Sequence, residues 1–599
     1  MTNDAFADSS DAVRTAGPLR HALHATFDEP LALELGGRLP QVTVAYETYG
    51  ELSPAHDNAV LICHALSGDS HVARHDEEDD PGWWDIMVGP GKPIDTDRYF
   101  VICPNILGGC RGTTGPSTAN PETHRPYGQD FPTITIGDMV EVQRRLVDRL
   151  GITRLLAVVG GSMGGLLGLE WARRHPKAML GVLPLATAPR LTSQALAFDV
   201  VARNAILQDP DFHGGQYYDQ ATRPVTGLAI ARMIGHITYL SREAMAEKFG
   251  SDRLSPQDVA VPFEKRFTVG SYLGYQGAKF VDRFDANSYI ALSTAMDLFD
   301  LGGSPWELAP VFQACDARWL VISFTSDWLF PPEQSRHVVD ALAYTNKAVS
   351  YCNVASSCGH DALLLPHDLE MYGELTRGFL ANLPRRDAEP RKEGNHAPTG
   401  IFRKHRLDYD RILDLIPLSA SVLDLGSGEG ELLWLLKHRH SARVRGVDVD
   451  PTAVRTCVGR GLDVIQADLN EGLPEYADRQ FDYVVLSRTL QAVRDVERIM
   501  DEMLRVGRRC VVTFPNFGYD KLRRMLAEDG RAPQSTGQLR HRWYETPNIR
   551  FFTIADFEEF CTEKGITVQR RITLDTEAGE EVNDAPNRNA DLAIFVLSR

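Results

Sequence analysis

The 599-residue chain reads as an α/β protein built from two successive modules. Three features predict this. Short apolar runs alternate with stretches of helical periodicity in both halves, the pattern of a mainly parallel sheet flanked by helices. Each half carries one glycine-rich turn between an apolar run and a helical stretch, around Gly160 and Gly164 in the first and around Gly426, Gly428 and Gly430 in the second. Between the halves, residues 384–399 (PRRDAEPRKEGNHAPT) are charged, proline-bearing and poor in apolar side chains, as an interdomain linker is. The expected division is a disordered polar N-terminus at 1–20, a first domain at 21–383, the linker, and a second domain at 400–599.

Composition narrows the class. A net charge of −18 argues against a general nucleic-acid binder and a basic membrane-surface protein. No apolar run approaches the length of a membrane span, and the acidic N-terminus lacks the basic and apolar regions of a signal peptide. The nine cysteines form no CxxC pair, so free thiols in a reducing cytoplasm are expected. Cys103 and Cys110 have no second pair to complete a ligand set, and no metal site is expected.

In the first module, residues 42–46 alternate, and 59–63 and 101–103 are short apolar runs. Residues 138–150 place Met139, Val142, Leu146 and Leu150 on one helical side. The run 155–159 leads into the glycine turn, and a helical stretch follows to Arg174. Residues 318–324 and 348–354 read as strands around a helical stretch at 333–343. Residues 190–303 break the rhythm. They are helix-rich without clear strands, and form either a lid over a site or a structural helical subdomain.

Ser162 sits in the first turn as Gly160-Gly161-Ser162-Met163-Gly164. Strand, tight turn, serine and helix are the context of a nucleophile elbow, in which small neighbours relieve backbone crowding. A serine nucleophile needs a base and an orienting acid, in the chain order Ser, Asp, His for such a sheet. Asp327 follows the predicted strand 318–324, and His360 follows 348–354. The oxyanion donors expected are the backbone N–H groups of Met163 and of Leu66, in the loop after 59–63. His64 is expected to shape that loop.

Longer motifs carry a resemblance. HALSGDSH at 64–71, PGWWD at 81–85, VGPGK at 88–92, DTDRYFV at 95–101 and NILGGC at 105–110 resemble the homoserine O-acetyltransferase family of the α/β-hydrolase superfamily. So do GSMGG at 161–165, SDWLFP at 326–331 and GHDALL at 359–364. The resemblance implies ping-pong acetyl transfer from acetyl-CoA to L-homoserine, with Ser162, His360 and Asp327 as the triad. It puts a substrate-carboxylate arginine at Arg232, with Arg223 as competitor, and a substrate-amine aspartate at Asp361. Succinyl-using relatives tend to carry arginine at the position of Leu329; leucine cannot pair a succinyl carboxylate, which favours acetyl. A homodimer is implied by the family alone.

In the second module, strands are expected at 421–425, 444–448, 464–467, 481–486 and 509–514. Asp424-Leu425-Gly426-Ser427-Gly428-Glu429-Gly430 has the D-x-G-x-G-x-G form of class I methyltransferases, which this region resembles, and predicts a Rossmann-like fold binding S-adenosylmethionine or S-adenosylhomocysteine. Asp448 ends the next strand, where an acid can hold ribose hydroxyls, and Asp468 suits an adenine contact. The segments 400–415, VLSRTLQ at 485–491, FPNFG at 514–518 and WYETPNI at 543–549 resemble MetW, a protein of methionine biosynthesis. That half is expected to regulate or stabilise the acyltransferase. Four alternatives stay open: a succinyltransferase, a serine O-acyltransferase, a hydrolase with the same triad, and an active methyltransferase in the second half.

Overall fold

A computed structural model describes residues 19–250, 267–384, 406–534 and 542–599. The expected disordered segment and linker lie outside these residues, apart from Leu19, Arg20 and Pro384. The chain divides into two compact units, 1–388 and 389–599.

The first unit holds β1 (Leu23–Phe27), β2 (Val42–Tyr49), β3 (Ala59–Cys63), β4 (Phe100–Pro104), β5 (Leu155–Gly161), β6 (Met179–Leu185), β7 (Arg318–Phe324) and β8 (Val349–Val354). Their spatial order is β1-β2-β4-β3-β5-β6-β7-β8. β2 runs antiparallel to both neighbours, and the other pairs are parallel. β5 is buried at every position, as the centre of a sheet covered on both faces requires. Two strands differ from expectation. β1 mixes polar and apolar residues because it is an edge strand bonded only to β2. β6 contains Gly181 and Pro184, which read as breakers, yet it pairs with β5 and β7 in the sheet's interior.

Helices α1 (Ile136–Arg149) and α2 (Met163–Arg174) flank β5 in sequence, and Thr135 and Asp138 form a reciprocal cap on α1. Between β6 and β7 lie α3 (Ser193–Leu207), α4 (Val225–Tyr239), α5 (Arg242–Phe249), α6 (Thr268–Val281), α7 (Ala286–Asp297) and α8 (Pro305–Phe312). The described part of the insertion is thus helical. Then come α9 (Pro332–Tyr344) and α10 (Leu369–Ala381).

The second unit holds β9 (Ser421–Leu425), β10 (Arg443–Asp448), β11 (Val464–Gln466), β12 (Phe481–Ser487), β13 (Gly507–Pro515), β14 (Thr567–Asp575), β15 (Glu580–Glu581) and β16 (Leu592–Ser598). The order is β11-β10-β9-β12-β13-β16-β14-β15. β9 to β13 pair with one another in parallel, and β16 is antiparallel to β13 and β14. The chain leaves β9 toward β10 on one side and reaches β12 on the other, so the glycine turn after β9 lies where the strand order reverses, the place such sheets receive ligands. The terminal strands β14 to β16 were not anticipated. No helix among the described residues is long and apolar enough to cross a membrane.

Candidate active site

β5 ends at Gly161 and α2 begins at Met163, so Ser162 alone makes the turn. Its backbone sits at φ 56°, ψ −125°, a conformation serine rarely adopts. The surroundings hold it there. The Ser162 N–H donates to Leu185 O at 3.0 Å, and Ser162 O accepts the Thr187 hydroxyl at 2.8 Å. Space demands the flanking glycines: a Cβ on Gly164 would collide with Cys63 O, and one on Gly160 with Gly164 O.

The loops after β7 and β8 carry Asp327 and His360. His360 Nδ1–H donates to Asp327 Oδ2 at 2.8 Å, while Asp327 Oδ1 accepts the Leu329 and Phe330 amides at 3.1 and 2.9 Å. Both side chains are buried. Burial disfavours the imidazolium, but the Asp327 carboxylate outweighs it and raises the His360 pKa above its ordinary value. His360, Ser162 and Leu66 line one cleft. Among the described residues, neither the Leu66 nor the Met163 amide N–H has a hydrogen-bond acceptor, so both stay available to an oxyanion. His64 shapes its loop, donating from Nδ1 to Ala65 O at 2.8 Å and accepting the Ile106 N–H on Nε2 at 3.1 Å.

Arg232 and Asp361 border the same cleft. Arg232 Nη1 lies 3.3 Å from Ser67 Oγ, with its guanidinium over the rings of Phe280 and Tyr239 at 4.8 and 5.6 Å. Arg223, the competitor, is placed elsewhere. Its side chain is 58% exposed, 3.9 Å from Asp282, and lines a different groove, because it precedes α4 while Arg232 sits two turns inside it. Two residues that sequence reading missed complete the cleft. Arg283, after α6, donates to Ser67 O at 2.9 Å. Burial, and then Arg232, Lys248 and Arg283, push the His236 pKa down to about 2. Burial is the larger cause, and the nearby cations add to it. No local spacing marks Arg283 or His236; the packing of α4 on α6 brings them together.

The insertion is tied to the loops that carry Asp327 and His360. Trp328 Nε1 donates to Leu240 O at 3.0 Å, and the Ser241 hydroxyl donates to Ser357 O. The end of α4 is therefore held by both the Asp327 and the His360 loops. A second cavity meets Ser162 and is lined by Leu329, Phe330, Phe198, Tyr289 and Asp199, with no lysine or arginine among its described lining residues. Burial, then the neighbouring Asp297 carboxylate, raises the Asp199 pKa well above the usual carboxylate range, which favours its neutral form.

In the second unit, Gly426, Gly428 and Gly430 have φ of +70°, +53° and +78°, and α11 (Glu431–His440) follows them. Nothing lies within 4 Å of where a Gly428 Cβ would be, so the turn is open at that one position, whereas a Cβ on Gly426 would meet Thr489 and one on Gly430 would meet Leu462. Asp448 accepts the Gly428 amide at 2.7 Å. Asp424 Oδ1 and Ser427 Oγ are buried without hydrogen-bond partners. Burial, then Asp448, raises Asp424 to about 8. Asp468 is exposed and caps a short turn, accepting the Asn470 amide at 2.9 Å. Arg406 and Arg488, not anticipated, both pair with the buried Asp408.

Comparison with known proteins matches both halves. The α/β hydrolase fold family covers residues 58–366, and the methionine biosynthesis protein MetW family covers 406–597. A bifunctional methionine biosynthesis protein MetXA/MetW from Rhodopirellula baltica is 50% identical over 99% of this chain and 95% of its own. A homoserine O-succinyltransferase from Alkalilimnicola ehrlichii is 52% identical over 61% of this chain and 95% of its own. A homoserine O-acetyltransferase from Desulfotalea psychrophila is 52% identical over 60% and 93%. Among solved structures, homoserine O-acetyltransferase from Bacillus anthracis aligns over 60% of this chain and 98% of its own, with 29% identity and a TM-score of 0.54. Esterase E22 aligns over 60% and 100%, also with 29% identity and a TM-score of 0.54. With half of all positions shared across both units, the chain belongs to the family of bifunctional MetXA/MetW proteins of methionine biosynthesis.

Proposed function

We propose that the first unit transfers an acetyl group from acetyl-CoA to the hydroxyl of L-homoserine, giving O-acetyl-L-homoserine, through an acetyl-Ser162 intermediate. One observation carries the reading: Arg232, Arg283 and Asp361 border the cleft that also holds Ser162 and His360. Two cations and one carboxylate suit the two ends of an amino acid. His360 takes the Ser162 proton as the hydroxyl attacks the thioester, and the Leu66 and Met163 amides hold the oxyanion. The thiol of coenzyme A leaves with the proton from His360. Homoserine then binds, His360 takes its hydroxyl proton, and attack on the acetyl-enzyme releases the product. Asp327 keeps the imidazole oriented throughout.

Relatives of both acyl specificities are about equally similar to this chain. Acetyl is favoured by the cavity at Leu329, whose described lining offers a succinyl carboxylate no cation. Burying that carboxylate unpaired costs several kcal/mol, roughly. A hydrolase reading has the likeness to esterase E22 behind it, but gives Arg232 and Asp361 no role. A homodimer belongs to the same proposal.

For the second unit, the open cradle at Gly428 and the unpartnered Asp424 and Ser427 atoms fit S-adenosylmethionine or S-adenosylhomocysteine. Gly426, Gly428 and Gly430 would admit the ligand, with Asp448 and Asp468 beside it. Bound there, S-adenosylmethionine supplies an activated methyl group; we read the site as regulatory, with methyl transfer as the alternative. The deciding experiment incubates the full chain with acetyl-CoA or succinyl-CoA and homoserine or serine, and weighs the products by mass spectrometry. O-acetylhomoserine as the main product supports the reading. Faster succinyl transfer, transfer to serine, or release of acetate alone overturns it.

A further inference from the structure

Away from the serine cleft, three side chains from two parts of the first unit meet in the interior. Glu47 projects from β2 and is fully buried, His71 is 6% exposed, and the His75 side chain is 21% exposed. One donor atom from each lies within 4.8 Å of the others. His71 Nδ1 and His75 Nε2 are each 2.9 Å from the same oxygen, Glu47 Oε2. The Tyr49 hydroxyl reaches that oxygen too, at 2.8 Å. Three groups thus converge on one carboxylate oxygen, which has two lone pairs, while among the described residues Glu47 Oε1 receives only a long contact from Ser70 Oγ at 3.4 Å.

Proton accounting sharpens this. His71 Nε2 lies 2.7 Å from Asp80 O, a backbone carbonyl that only accepts, so Nε2 carries the hydrogen. In a neutral ring Nδ1 is then a lone pair facing a carboxylate oxygen. Something positive must stand between them: a second proton or a metal ion. A histidine that donates one ring N–H to a backbone carbonyl and offers the other nitrogen as a lone pair is the arrangement found at metal-bound imidazoles. Asp79, 3.8 Å from His71 Nε2, and His21, whose ring lies tilted by 31° against that of His75 with centroids 4.3 Å apart, surround the group.

We propose that Glu47, His71 and His75 form a binding site for a divalent transition-metal ion, Zn²⁺ by donor type. Two imidazole nitrogens and one carboxylate are a borderline donor set that suits zinc and does not suit magnesium or calcium. Its role is structural. His71 O accepts the Trp83 N–H at 3.1 Å, and Trp83 and Leu66 both line the serine cleft. A metal here ties β2 to the segment that carries an oxyanion donor. Sequence spacing gave no sign of it, because Glu47 and His71 are 24 residues apart and join only through the fold.

The test uses the full chain, stripped with a chelator, then dialysed against Zn²⁺ or Co²⁺ and measured by elemental mass spectrometry. One ion per chain is expected, with a rise in melting temperature. Bound Co²⁺ should show weak visible bands without thiolate charge transfer, which separates this site from the nine free cysteines. His75→Ala, at the partly exposed rim, is expected to weaken binding at least tenfold while the protein stays folded; His71→Ala removes a buried ligand and is the harsher variant. Absence of stoichiometric binding, thiolate bands, or binding unchanged in His75→Ala overturns the proposal and leaves a proton as the link.

Discussion

Both units place a glycine-rich turn after a parallel strand and before a helix, and the two turns do opposite things with one device. At Ser162 the strained residue bears a side chain, and the surrounding space is full: neither Gly160 nor Gly164 has room for a Cβ. At 426–430 the strained residues are glycines, and the space beside Gly428 is open. The first turn places a hydroxyl in a cleft that His360 also lines. The second withdraws its own side chains and leaves buried polar atoms of Asp424 and Ser427 unmatched. The first turn is packed so that its one side chain faces the cleft, whereas the second leaves space beside Gly428.

The largest break in this contrast is Ser162→Ala. With the hydroxyl gone, acyl transfer should fall by about 10³-fold or more, with unchanged circular dichroism. Retained turnover would mean that the filled turn presents no nucleophile. Next is Asp327→Asn. Its carboxylate raises the His360 pKa, and His360 must be neutral to accept a proton. Wild-type activity should therefore rise with pH through a limb above the ordinary histidine value. The variant should lose roughly 10³–10⁴ in kcat, and its residual activity should show that limb at lower pH. The smallest effect on the acyltransfer rate belongs to Gly428→Val. It fills the cradle, and should abolish S-adenosylmethionine binding by calorimetry while O-acetylhomoserine formation stays within about twofold in the absence of that ligand. An unchanged binding isotherm would show that the open turn is not the ligand's place.

Some of this was legible from residue order because it depends on short-range backbone chemistry. The turn at Ser162 needs small neighbours within two positions, and they stand next to it in sequence. The strand at 59–63 is a continuous apolar run, a signal that buried parallel strands make strong. Signals fail where packing overrides composition. β6 carries Gly181 and Pro184 inside a central strand, because a Cβ at 181 would meet Leu383 and Phe379. β1 gave too weak an alternation for an edge strand. Arg283 and Arg223 are both plain surface-like arginines in sequence; only the path of the chain puts one in the cleft and the other in solvent.

Residue order alone settles the α/β class, the two modules, the order Ser162, Asp327, His360 and the glycine turn of the second unit, since each rests on neighbours in the chain. Tertiary structure decides which arginines face the serine, that Asp199 shares the Leu329 cavity, and that Glu47, His71 and His75 converge. Those are meetings of side chains from different strands, helices and loops. Their distances follow from how the sheet and the helices over it pack, and no spacing along the chain encodes that.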